Sequence, residues 1–309
     1  MALNADMQRD DMINVMINII DNQTKDIGDT ETIVPNLYLF RRETPSVPCA
    51  CQVDLSIVVA LQGAKQLVVG DNMYTYDANN FLINSLDLPA STQTLEASAE
   101  KPCLGFVFLL DTRIIADIVS VGNLTKPKQN SVVAGSATGP LTMEILEPLS
   151  RLIGLLSEPE SIPILAPLLS QEIHYRLLMS EQAPRLWQAI AHGSASHQIT
   201  RAVQLIRDSY DQQLNMENLA DSVGMSQSSL YAYFRNLTSM SPLQYQKWLR
   251  LHEARHLMLN KSLDAASASY QVGYQSPSQF SREYSNLFGS SPKKDINHLK
   301  QENIIIAEI

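Results

Sequence analysis

The chain has 309 residues, 45% of them hydrophobic and 18% charged, with a net charge of −9. That length suits about two domains at ~150 residues each, and the composition excludes a disordered chain, a collagen-like repeat and a disulfide-stapled mini-protein. The acidic balance argues against a coat for nucleic acid or an anionic membrane, but a sequence reader needs only local positive charge.

The charge is unevenly spread. Residues 1–190 hold 12 basic and 22 acidic side chains, whereas 191–309 hold 11 and 10. A break near residue 190 therefore separates two modules. The three cysteines, Cys49, Cys51 and Cys103, are too few and odd in number for a secreted framework. The N-terminus is acidic where a signal peptide needs basic residues, and the longest apolar run, Leu104 to Leu110, is far short of a membrane span. These features predict a reducing, cytoplasmic setting.

In chain order, residues 7–23 predict a helix with Met12, Val15, Met16, Ile19 and Ile20 on one stripe. From about 33 to 110 short β-branched and aromatic runs alternate with turn signals at Gly70-Asp71-Asn72 and Asp77-Ala-Asn-Asn80. They read as an antiparallel sandwich or small barrel. From 112 to about 191 the period becomes helical, with a loop expected over Gly122–Gly139 and amphipathic helices over 141–156 and 164–179. His192-Gly-Ser-Ala-Ser196 reads as linker.

Residues 197–300 read as helical and contain a repeat. At an offset of 50, Ser228, Asn236, Leu237 and Ser241-Pro242 match Ser278, Asn286, Leu287 and Ser291-Pro292. At an offset of 49, Val223-Gly224 matches Val272-Gly273. Two copies suit a duplicated helix-turn-helix rather than a solenoid.

In the first copy Leu219, Ala220 and Val223 turn inward, Gly224 makes the turn, and Ser226 caps the next helix. That helix carries Leu230, Phe234 and Leu237 on one stripe. Gln227, Ser228, Tyr231, Ala232 and Arg235 lie elsewhere on it. In the second copy Ser276 caps, Pro277 opens the helix, and Phe280, Tyr284 and Leu287 are expected inward. Ser278, Gln279, Ser281 and Arg282 are expected outward. Arg forks onto guanine and Gln onto adenine, so this face suits base reading. A continuous helix from Ser241-Pro242 to about Asn260, roughly 27 Å at ~1.5 Å per residue, joins the copies. With the flanking domains it spaces two recognition helices about one DNA turn, ~34 Å, apart. Arg201, Arg235, Lys247, Arg282 and Lys293-Lys294 are the cations such a face would have to gather.

With these motifs in place, residues 199–295 resemble the DNA-binding region of AraC/XylS-type bacterial transcription regulators. Leu219-Ala220, Gly224-Met-Ser226, Arg250-Leu251, Glu253-Ala-Arg255, Val272-Gly-Tyr274 and Phe280-Ser-Arg282 carry that resemblance. Residues 35–111 resemble the N-terminal domain of one branch of the family, through Val58-Val-Ala-Leu-Gln-Gly, Gly70-Asp71, Tyr76 and Ser85-Leu-Asp-Leu-Pro89. The resemblance implies an α+β multidomain chain. A cupin-like antiparallel β-barrel with following helices occupies 1–191 as an effector-binding or dimerisation domain. A linker fills 192–198, and a two-motif DNA-binding domain spans 199–300. Two departures stand out. Ser239 replaces the glycine usual before Met-Ser-Pro, and Tyr231-Ala232-Tyr233 replaces a frequent His-Arg-His.

The expected function is a sequence-specific transcription regulator controlled by a small molecule or chemical stress. Its expected partners are double-stranded DNA, a small-molecule effector, RNA polymerase and a second copy of the chain. Two alternatives stay open: an effector-independent DNA-binding protein whose barrel only dimerises, and a cupin-like enzyme with an appended DNA module. No histidine precedes His174 and no Gly-rich phosphate loop or nucleophile elbow appears, so neither catalysis nor a metal or other cofactor is expected. Cys49 and Cys51 share a side of a strand and are candidates for a thiol sensor, against the plainer reading as small buried apolar groups. Arg41-Arg42 reads as a solvated pair. His252 and His256, at i and i+4, are expected at the surface or facing phosphate.

Overall fold

A computed structural model describes residues 2–85, 88–127, 133–191 and 195–301. The chain opens with α1 (Ala2–Gln23), whose Ile13, Met16 and Ile20 are buried. Val15, expected on that stripe, is exposed, so the inward face is turned slightly from the expected one. Strands follow in order: β1 (Gly28–Glu31), β2 (Leu37–Arg42), β3 (Cys49–Val53), β4 (Ser56–Gln62) and β5 (Ala64–Val69). Then come β6 (Asn72–Tyr76), β7 (Asn80–Asn84), β8 (Leu88–Glu96) and β9 (Cys103–Leu109). After α2 (Thr112–Val121), β10 (Ser136–Pro140) returns to pair with β7.

The strands form two antiparallel sheets, a six-stranded one in the order β1-β2-β9-β4-β7-β10 and a four-stranded one in the order β3-β8-β5-β6. Together they make the cupin-like domain. β4 explains the arrangement. Its run Ile57-Val-Val-Ala-Leu is buried throughout because both faces of the large sheet are covered. Leu39, Ile57, Val59, Phe81, Phe106 and Phe108 face helices, while Phe40, Val58, Ala60, Leu82 and Cys103 face the small sheet.

The helices on the outer face are α1, α3 (Met143–Gly154), α4 (Ile162–Leu178) and α5 (Ala183–Ile190). His174 sits in that core. Its Nε2 accepts from the Asp111 backbone N–H at 2.9 Å, and its Nδ1 lies 2.7 Å from the Ser170 carbonyl.

The loop expected over 122–139 is partly strand. Ser136-Ala-Thr-Gly-Pro has no apolar alternation to reveal it. Backbone pairing holds it, together with a bond of 2.8 Å from the Ser136 hydroxyl to Asn84. Residues 128–132 lie outside the described residues.

The remainder is helical: α6 (Ala195–Asp208), α7 (Met216–Val223), α8 (Gln227–Thr238), α9 (Pro242–Asn260), α10 (Ala265–Gln271), α11 (Pro277–Phe288) and α12 (Pro292–Gln301). α6 begins inside the stretch expected to be linker, and residues 192–194 fall outside the described residues. Among the described residues no single helix is long and apolar enough to cross a membrane.

Candidate nucleic-acid interface

The two copies of the repeat are α7–α8 and α10–α11, joined by α9. Local chemistry sets each boundary. The Asn215 side chain accepts from the N–H groups of Glu217 and Asn218, starting α7. Gly224 ends that helix at φ 69°, and Ser226 caps α8 by accepting from the Ser229 N–H. α9 begins with a capping box between Ser241 and Gln244 behind Pro242. Asp264 caps α10 and Ser276 caps α11, with Pro277 at the first helical position.

The expected inward and outward faces are present in α8 and, apart from Leu287 and Ser281, in α11. In α8, Leu230, Phe234 and Leu237 are buried, while Ser226, Gln227, Ser228, Tyr231, Ala232 and Arg235 are exposed. In α11, Phe280 and Tyr284 are buried, and Ser278, Gln279 and Arg282 are exposed; Ser276 and Ser281 are half-buried. Leu287 does not turn inward as expected; it is 42% exposed. Phe288 takes the inner position instead, with its ring 4.4 Å from Tyr284 and 4.9 Å from His252. Gln279 is already engaged, donating to Glu283 at 3.3 Å.

A staple fixes the two halves to each other. Arg250 of α9 donates from Nε to the Tyr210 carbonyl at 2.6 Å, from Nη1 to the Gly273 carbonyl at 3.0 Å and from Nη2 to the Gln212 carbonyl at 2.7 Å. Gln246 adds bonds to the Tyr210 and Gln212 carbonyls at 3.1 and 2.7 Å. One guanidinium thus joins the loop after α6 to the turn of the second motif. Burial draws the Arg250 pKa down from its usual value without threatening its charge. Arg250 belonged to the family pattern, but nothing in its local sequence gave this role, because its partners are backbone carbonyls.

The second half has its own buried knot. Arg255 grips Asp295 of α12 through two bonds of 2.8 and 2.9 Å, and Tyr284 donates to the same carboxylate at 2.7 Å. Arg255 also reaches across to the Pro48 carbonyl of the β-domain at 3.3 Å.

Several expectations need correction. His252 and His256 are both buried, not at the surface or facing phosphate. α9 is packed by helices on several sides, so Gln246, His252, Arg255 and His256 all lie inside. His252 sits between Trp248 and Phe288, and burial, aided by the Arg255 charge, pushes it down to about 3. Lys247, counted among the cations for DNA, is exposed and lies 3.3 Å from Glu283. Arg41 and Arg42 are not a freely solvated pair; they are half-buried and bridge Asp21, Glu43 and Asp29.

Cys49 and Cys51 are free thiols on β3. Cys49 packs toward the second helix-turn-helix half and Cys51 toward the inside of the β-domain. Burial pushes both up, Cys51 to about 12, which keeps the nucleophilic thiolate scarce near neutral pH.

A β-domain coupled to two capped helix-turn-helix motifs on one connecting helix defines a two-motif regulator fold. Comparison with known proteins agrees. The family described as the AraC-type transcriptional regulator N-terminus matches residues 33–185, and a helix-turn-helix domain family matches 219–297. The chain belongs to the AraC family of transcription regulators.

The lactose operon transcription activator of Staphylococcus xylosus is 27% identical over 125 residues, which is 40% of this chain and 44% of that protein. A putative regulator of Escherichia coli K12, YneL, is 62% identical over 37 residues, 12% of this chain and 63% of that one. The chain spans about half the length of the first curated relatives it matches. Among solved structures, ToxT from Vibrio cholerae superposes with a TM-score of 0.52 at 11% identity, covering 84% of this chain and 97% of that one. A second ToxT structure, bound to (E)-4-(8-methylnaphthalen-1-yl)but-3-enoic acid, gives 0.51 at 12% identity, covering 85% and 98%. At these identities the likeness is one of fold.

Proposed function

We propose that this chain is a sequence-specific DNA-binding transcription regulator that reads two neighbouring major grooves with α8 and α11. The observation that carries the reading is the pair of capped, outward-facing polar helices held in fixed register by Arg250 on α9. α9 has 19 residues, so it is about 28 Å long at ~1.5 Å per residue. Ser228, Tyr231, Arg235, Ser278, Ser281 and Arg282 are the side chains offered to DNA, with Ser226, Gln227, Ala232, Ser276 and Gln279 beside them. Residues 1–191 form the signal-receiving domain and 199–300 the DNA-reading one. The signal is a small molecule, a reading supported by the small molecule bound to the ToxT neighbour.

The test is selection by the full chain from a random-sequence duplex pool at fixed salt. The expected result is two short boxes about one helical turn, ~34 Å, apart. A single box, or none at low salt, overturns two-groove reading.

Homodimerisation fits a separate observation. Ile164, Leu168 and Tyr175 recur along α4 and are exposed, although its other side is already buried in the core. The first turns of α4 thus leave an apolar side uncovered, which a second copy of the chain would bury. Sedimentation of Leu168→Glu against the parent chain decides this: a parent dimer that the variant dissociates supports it, and a monomeric parent overturns it. Contact with RNA polymerase is the further partner this reading expects.

A further inference from the structure

Two polar contacts between the β-domain and the helical domain flank an open space. At one, Asn72 Nδ2 donates to the Ser239 hydroxyl at 2.6 Å. At the other, Arg255 reaches Pro48. Between these points lies a cleft of about 700 Å³. That is within the ~300–1,000 Å³ range of small-molecule sites, which favour domain interfaces.

One wall of the cleft is aromatic. Trp248, His252 and Phe288 line it, with centroid separations of 4.3 Å for Trp248–His252 and 4.9 Å for His252–Phe288. The opposite wall comes from the β-domain, through Val47, Pro48, Val68 and Ser91. Burial keeps the His252 ring neutral.

The charges around the cleft are mostly committed to each other. Lys247 pairs with Glu283 at 3.3 Å. Arg255 is held by Asp295 and lies over the Phe288 ring at 4.4 Å. Among the lysine, arginine and carboxylate side chains of the lining, two cations face three carboxylates, Asp71, Glu283 and Asp295. An incoming anion would meet a net negative rim and would have to break an existing ion pair to gain a partner. A flat neutral ring meets aromatic faces at no such cost.

We propose that this cleft binds a neutral, flat aromatic molecule and that its occupancy sets how the chain reads DNA. The inference rests on the DNA-reading function above and names the ligand class for it. Control follows from position. The lining includes Ser239 at the end of α8, Trp248 and His252 on the connecting helix, and Glu283 and Leu287 on α11. A ligand there touches both recognition units and the β-domain together. It favours whichever arrangement of them binds it more tightly.

The experiment uses the full chain carrying Trp187→Phe, which leaves Trp248 as its single tryptophan. Two probes share one ring system: N-phenyl-1-naphthylamine is neutral, and 8-anilino-1-naphthalenesulfonate adds a sulfonate. The neutral probe is expected to quench Trp248 emission saturably, one per chain, and to bind at least about tenfold more tightly than the sulfonate. Adding Ser91→Phe, which fills the cleft from the β-domain side, is expected to abolish the quench while the thermal unfolding curve stays in place. Saturating neutral probe is expected to change the affinity for the selected DNA about fivefold or more.

Equal or tighter sulfonate binding overturns the ligand class. A quench that survives Ser91→Phe overturns the site. Probe binding with no effect on DNA affinity overturns the control. The quench is read without DNA, so a chain that selects no DNA at all would sink the function and leave the ligand class and site separately decided.

Discussion

In the first helix-turn-helix half, α8 ends on Ser239 at φ 58°, and the Ser239 hydroxyl accepts from Asn72 of the β-domain. In the second, α11 ends on Gly289 at φ 74°, with nothing within 4 Å of where a Cβ would stand. The first half shares one buried apolar cluster with the inner face of the β-domain, including Leu67, Val69, Leu230, Phe234 and Trp248. The second half has a separate cluster around Leu251, Leu257, Phe280 and Tyr284, with only Val47 and Cys49 of the β-domain packed against its edge among the described residues. Duplication therefore supplied two copies of one motif, and attachment made them different. One shares a buried core with the β-domain, and the other meets it at the edge, through Arg255 and Pro48, beside a cleft.

The turn glycines break this comparison most sharply. Both are left-handed, Gly224 at φ 69° and Gly273 at φ 85°. A Cβ at Gly224 would find only Gln198 Nε2, at 3.7 Å, whereas one at Gly273 would stand 2.0 Å from the Asp211 carbonyl oxygen. Gly224→Ala should cost about 1 kcal/mol, the left-handed penalty alone. Gly273→Ala should cost about 3 kcal/mol or more, because that backbone is pinned by Arg250. Urea unfolding of the two variants reads the difference, and equal losses would mean that the halves are not stapled at this point.

His252 offers the next largest effect, since it joins Trp248 on one side to Phe288 on the other. Its folded pKa, about 3, lies below the ~6.5 of an unfolded histidine. As pH falls the unfolded chain takes the proton first. The stabilisation is therefore complete above about pH 6.5 and is lost progressively towards pH 3. At pH 5 the loss is about 2 kcal/mol. His174, also pushed down by burial, adds a loss of the same sign. Urea midpoints should fall between about pH 7.5 and pH 5, and His252→Phe should remove about 2 kcal/mol of that fall. An unchanged slope in the variant would show that His252 is hydrated in solution.

How much of this was legible differs by level. Caps, turn glycines and the inward stripe of α8 were readable because they depend on residues within one helical turn. α9 misled at His252 and His256 because its second half is packed on several sides and leaves little solvated stripe to compare against. β10 hid because Ser136-Ala-Thr-Gly-Pro pairs through backbone groups that every residue carries. Leu287 and Phe288 are adjacent apolar residues at the end of a helix, and tertiary contacts of Phe288 with His252, Tyr284 and Arg255 decide which turns inward. The cleft had no local signal at all, since its walls come from segments far apart in the chain.

At the DNA face the expected effects are smaller, and the copies differ by position. Arg282 is the sixth residue of α11, while Arg235 is the ninth of α8, most of a turn further from the helix N-terminus that enters the groove. Arg282→Ala should cost about 1.5 kcal/mol and relax one box only. Arg235→Ala should weaken all sequences alike and reduce the salt slope by about one unit. Binding titrations across a salt series separate a base contact from a phosphate contact. If both variants relax a box, the two helices sit at equal depth.

The smallest effect concerns Ser239, the departure from the family pattern. A serine at φ 58° is strained where glycine would not be, so Ser239→Gly should gain about 1 kcal/mol from backbone relief alone. It also loses the hydroxyl that accepts from Asn72, a bond worth about 1 kcal/mol. The single variant should therefore leave stability nearly unchanged, which by itself would look like an indifferent position. A double-mutant cycle exposes the cancellation. In an Asn72→Ala background the bond is already absent, so Ser239→Gly should then stabilise by about 1 kcal/mol. A coupling near zero would mean that the β-domain does not hold the end of α8 in solution. A coupling of the expected size would show that the serine trades backbone comfort for a contact 167 positions away in sequence, which ties α8 to the β-domain.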